Sequence, residues 1–141
     1  MKFISIAFFL FFLFSCQNSD LSTTKKFIPD MYEESEMTLL MRSIYEENSK
    51  MKKGIITGTP PNRFPSYFLN IFNSKLPNDK PYSEKFMTYS KVYIDNVRTL
   101  FDTVSSISLK TRYNNSINTC IACHTSECTG PIPSIKKLLI K

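Results

Sequence analysis

Cys120-Ile121-Ala122-Cys123-His124 closes a segment in which Tyr113, Ile117, Cys120 and His124 recur at steps of four, three and four residues. At 3.6 residues per turn these side chains share one helical face, so the spacing predicts a helix from about Leu109 with that face turned to the core. Two thiols and the only imidazole of a 141-residue chain are thereby brought to one end of one helix.

Several chemistries use such a set. A zinc site needs four N or S ligands, and Cys120, Cys123, His124 and Cys128 can be counted as four. Adjacent Cys123 and His124, however, point about 100° apart on a helix, which suits the edge of a flat ring better than a closed tetrahedron. A dithiol redox motif needs only Cys120 and Cys123, but it normally follows a strand in a βαβ pattern, which this sequence lacks. The pentapeptide resembles the C-x-x-C-H haem-attachment motif of c-type cytochromes. That resemblance implies one covalently bound haem c per chain, with Cys120 and Cys123 each joined to a vinyl group and His124 as the proximal iron ligand.

The N-terminus bears on the compartment. Lys2 precedes an almost wholly apolar run from Phe3 to Phe14, broken only by Ser5, the layout of a signal peptide. The run is shorter than the ~20 residues a spanning helix needs. Leu13-Phe14-Ser15-Cys16 resembles a bacterial lipoprotein box, which implies cleavage after residue 15 and lipidation of Cys16; the alternative is an ordinary secretory signal followed by an incidental Cys. The expected organisation is a signal peptide over 1–15, a tether over 16–29 and a haem-binding domain over 30–141. The expected location is the bacterial cell envelope, as a periplasm-facing or surface lipoprotein. Export agrees with the resemblance, because c-type cytochromes mature outside the cytoplasm.

Loss of residues 1–15 removes one of 18 basic residues, Lys2, and none of the 12 acidic ones, so the 126-residue remainder carries +5. That length makes one domain with one core. The basic residues are not interleaved as a nucleic-acid groove requires, and nucleic acid is not an expected partner. With Cys16 lipidated and Cys120 and Cys123 on haem, Cys128 has no partner in the chain and is expected to be a free buried thiol, the alternatives being an intermolecular bridge or a redox-sensitive role.

Four helices are expected. Asp30 with Glu33 reads as an N-cap, followed by Met37, Leu40, Met41, Ile44, Asn48 and Met51 at helical spacing until Gly54. Pro65 opens a shorter helix through Tyr67, Phe68, Ile71 and Phe72. A third runs from about Ser83 to Val104, with Phe86, Tyr89, Tyr93, Val97, Leu100 and Val104 along its stripe. The fourth is the motif helix. Short connections favour antiparallel neighbours, so the expected fold is all-α: an antiparallel four-helix bundle with haem attached to the last helix. A late C-x-x-C-H in an all-helical domain resembles the cytochrome c prime class. The segment after Gly130, where Ile135, Leu138, Leu139 and Ile140 mix with Lys136, Lys137 and Lys141, either folds back or meets a partner or membrane.

The residue opposite His124 sets the expected function. In the bundle cytochromes this chain resembles, the first helix crosses the distal face of the haem, which makes Met41, or Met37 one turn earlier, a candidate distal ligand. Methionines at this spacing also serve as core filler. Arg42 is either a propionate partner or a surface residue. Phe68, Phe72, Phe101 and Tyr113 are expected either to wall the haem or to pack the core. The expected function is a membrane-anchored monohaem electron carrier, not an enzyme, with redox proteins as partners, a lipid anchor to the membrane and a homodimer allowed. The alternative is a pentacoordinate haem protein that binds nitric oxide or carbon monoxide. Catalysis lacks a distal acid-base group.

Overall fold

Ser and Gly punctuation sets the helix boundaries. The computed structural model describes residues 33–141; the signal, Cys16, the tether and the Asp30 cap lie outside the described residues. Within them, α1 spans Glu36–Thr57, a 3-10 helix spans Ser66–Phe72, α2 spans Glu84–Thr99, α3 spans Leu109–Glu127 and α4 spans Ile132–Lys136. The described residues are mostly helical and contain no strand, so the domain is all-α. None of their helices is long and apolar enough to cross a membrane.

Each long helix begins on a serine whose hydroxyl accepts a backbone N–H: Ser35 from Thr38, Ser83 from Phe86 and Ser108 from Thr111. The first cap is thus Ser35, and Glu33 is not helical. α1 also continues through Gly54 to Gly58, whose φ of 79° provides the left-handed terminus. Gly54 answers a different need. Thr59 N donates to its carbonyl at 2.8 Å, and a Cβ at residue 54 would collide with the Thr59 carbonyl oxygen.

The second expected helix is a 3-10 helix, which eclipses residues three apart and so places Phe68 and Ile71 together in the core. α2 stops at Thr99, five residues before Val104, which is 90% exposed. Arg112 of α3 donates to the carbonyls of Thr99 and Asp102, and the Asp102 carboxylate accepts from Val104 N at 3.0 Å, so the chain turns there. Its buried stripe runs through Phe86, Ser90, Tyr93, Ile94 and Val97, with Tyr89 at the margin.

Contacts between elements fix their directions. At one end, Met37 N donates to Lys75 O at 3.0 Å, Tyr82 OH to Ser74 O at 2.5 Å, and Ser83 Oγ to Glu127 Oε1 at 2.6 Å. The starts of α1 and α2 therefore meet the end of α3. At mid-height Tyr113 OH donates to Asn48 O at 2.9 Å, while Asn48 Nδ2 donates to Tyr93 OH at 2.9 Å. α3 runs opposite to α1 and α2.

The motif helix is not the last one. After Cys128 the chain turns through Pro131 into α4 and returns along α3, burying Ile135 and Leu138. Lys52 Nζ caps the Lys137 and Leu139 carbonyls at 2.8 and 2.9 Å, and Asn114 exchanges two hydrogen bonds with Ile140, each 2.9 Å. Of the two readings of this segment, folding back is what occurs.

Candidate functional site

Along the inward stripe of α3, burial fades toward the motif. Tyr113 and Ile117 are 0% exposed, whereas Cys120, Cys123 and His124 are half-buried. The helix carries the same face onward past the point where α1 and α2 cover it fully. Cys120 and Cys123 are both free thiols at the margin of the core.

Burial, and then the neighbouring Cys123, pushes the Cys120 thiol up to about 12. Burial, and then the Glu127 carboxylate, pushes Cys123 up to about 11. Both are protonated at neutral pH. A thiol-exchange motif needs the opposite arrangement, in which positive charge or a helix N-terminus depresses a thiol into the neutral range. Near the C-terminus of α3 these sulfurs sit at the negative end of the helix dipole. The dithiol reading is therefore disfavoured. Among the described residues no three His, Cys, Asp or Glu side chains are grouped to hold a metal ion, which counts against the four-ligand zinc reading.

His124 is held by the turn that ends its own helix. Its Nδ1 lies 3.0 Å from the Cys128 carbonyl, and Cys128 N donates back to the His124 carbonyl at 3.1 Å. A carbonyl only accepts, so Nδ1 carries the proton and Nε2 is left with a lone pair. This is the arrangement of a metal-ligating histidine, whose second nitrogen is oriented by a hydrogen bond to a backbone carbonyl. Glu127, held by Ser83 Oγ, ties the same turn to α2.

The residues present fit a covalently bound haem. Two unpaired thiols one helical turn apart stand on a half-covered apolar face, beside an imidazole whose Nε2 is left free to ligate a metal. Cys120, Cys123 and His124 would hold the group.

Other expected participants are placed differently. Met37 is buried, 5% exposed, and Met41 is half-buried at the edge of the core. Both belong to the start of α1, at the same end of the molecule as the motif. Arg42 forms a bidentate ion pair with Glu34 on the surface, in keeping with its surface reading. Phe101 packs edge-on against Phe64, by the end of α2 remote from Ser83, and Tyr113 lies about 16 Å along α3 from His124. Phe68 stacks on Tyr93 at 5.9 Å in mid-core. For Phe68, Phe101 and Tyr113, core packing is the role that fits.

Aromatic cover at the motif end comes instead from Tyr82 and Phe86, stacked 5.0 Å apart on either side of Ser83. Phe86 was legible as part of the α2 stripe; Tyr82, ahead of the cap, gave no periodic signal. Cys128 is exposed, contrary to the expected buried thiol, because its contribution is the backbone carbonyl. No family model matches the chain, and neither the curated proteins nor the solved structures contain a match.

Proposed function

We propose that this chain is an exported, membrane-anchored monohaem c-type cytochrome that carries electrons between redox proteins. The observation that carries the reading is the His124 hydrogen bond: Nδ1 is committed to the Cys128 carbonyl and Nε2 is free, one residue after Cys123 and one turn after Cys120. When bound, haem c supplies a one-electron iron couple, whose potential rises if methionine sits opposite histidine. The chain's own residues do the rest. Cys120 and Cys123 fix the group to α3, the Cys128 carbonyl orients His124, and Tyr82 and Phe86 limit water at that end. Met41 is the proposed distal ligand, with Met37 as the alternative.

The directions of α1, α2 and α3 support a four-helix bundle in which the 3-10 segment takes the place of the second helix. The leader Lys2, Phe3 to Phe14 and Cys16 support export and lipidation. The test is the visible spectrum of the matured protein with reductant and with carbon monoxide. A low-spin reduced form that resists carbon monoxide, and becomes reactive in Met41→Ala, is the expected result. Rapid carbon monoxide binding by the unaltered protein overturns methionine ligation and makes it a gas-binding protein, and absence of haem absorption overturns the whole reading.

A further inference from the structure

Charge is not spread evenly over this fold. Between Glu47 and Asp79 the sequence holds no acidic residue, and residues 128–141 contain three lysines and no Asp or Glu. The fold brings these two stretches together. Lys52 of α1 donates to the Lys137 and Leu139 carbonyls, and Lys110, in the first turn of α3, donates to the Lys141 carbonyl at 2.7 Å.

Between them lies a surface depression of about 320 Å³, lined by Lys52, Lys53 and Lys137 with Ser49 and Thr57 and no carboxylate. Ile56 also lines it and is 61% exposed. Lys53 and Lys137 are exposed too, so their ammonium groups are open to an external anion.

We propose that this face docks on an anionic lipid leaflet, with Ile56 entering the headgroup layer and the surrounding lysines pairing with lipid phosphates. An acidic protein would satisfy the lysines alone; an exposed isoleucine inside a lysine ring fits a surface that is charged at its outside and apolar just beneath. The face also lies at the far end from the motif. Fourteen residues of α3 separate Lys110 from His124, about 21 Å of helix. Docking therefore turns Cys120, Cys123 and His124 away from the lipid, toward water and any soluble partner. The sixteen residues between Cys16 and residue 33 can reach about 55 Å when extended, more than the ~33 Å length of α1, so an anchor at Cys16 permits this orientation.

The chain has no tryptophan, so Ile56→Trp makes a single fluorescent reporter inside the face. The full-length Ile56→Trp protein is mixed with vesicles of phosphatidylcholine alone and with vesicles in which part of that lipid is replaced by phosphatidylglycerol. The expected result is a blue-shifted emission, quenched by brominated acyl chains, on the anionic vesicles only, and lost at high salt. Adding Lys53→Glu and Lys137→Glu should weaken this binding at least about thirtyfold, since each lysine near an anionic surface contributes about a fivefold gain. The reporter sits in the face and not at the N-terminus, so the wavelength of its emission reports contact of this face and not anchoring through Cys16, and the wavelength, unlike the intensity, is preserved when an attached haem quenches the tryptophan. Identical emission on both vesicle types, or a shift that survives the double charge reversal, overturns the proposal; the first leaves an acidic protein as the partner.

Discussion

The two ends of α3 obey one periodicity and meet different fates. At the Tyr113 end the core closes on itself: Tyr113, Asn48 and Tyr93 join α3, α1 and α2 by hydrogen bonds, and Ile117 is fully buried. At the His124 end the same stripe is only half covered, and its polar groups are thiols and an imidazole nitrogen without a protein partner among the described residues. A helix face that is buried by its own chain at one end and left open at the other points to stability in the first half and to an added group in the second.

Substitutions can break that contrast. The largest effect is expected from Ile117→Ala, which empties a fully buried site and should cost about 2–5 kcal/mol in denaturant unfolding of the haem-free protein. In the same measurement His124→Ala should cost no more than about 1 kcal/mol, because it removes one half-exposed hydrogen bond. Equal losses at both positions would erase the distinction between a structural and a functional end. Tyr113→Phe is next: deleting the hydroxyl that reaches Asn48 O should cost about 1 kcal/mol without changing the spectrum of the mature protein.

A pH-dependent effect separates the haem-free and matured forms. The Cys120 thiol ionises near 12 in the fold and near the ordinary thiol value once unfolded, so folding favours the protonated thiol. Its contribution is complete below about pH 9 and is lost as the pH rises toward 12. With haem attached as proposed, a matured form would carry a thioether at this position and lack that loss. Unfolding midpoints followed from pH 8 to 11 should fall more steeply for the haem-free protein, and parallel curves would mean Cys120 is a thiol in both.

Much of the framework could be read from local sequence. The stripes of α1, α2 and α3 follow from periodic apolar residues, whereas local punctuation points to Asp30 and Gly54 for the ends of α1, which Ser35 and Gly58 form instead. What was not legible depends on partners distant in sequence. Val104 continues the α2 periodicity, but the helix ends first, where Arg112 binds its last carbonyl, Thr99 O, and the Asp102 carbonyl in the turn beyond it. The spacing of Phe68 and Ile71 suits an α-helix as well as the tighter 3-10 turn that forms. The lysines of the final segment gave no direction until Lys52 was seen to cap its carbonyls. At the site, the residue types and spacing of Cys120, Cys123 and His124 were evident, whereas the orienting carbonyl of Cys128 was not, since any residue type supplies a carbonyl.

The central claim is a haem joined to α3 through Cys120 and Cys123, and acid-acetone extraction of the matured protein tests it most directly. The pigment should stay with the polypeptide, its reduced pyridine adduct should show the spectrum of a haem whose vinyl groups have both been consumed, and Cys120→Ala should shift that spectrum toward one remaining vinyl. A colourless mature protein, or pigment that leaves entirely with the solvent, would contradict the account.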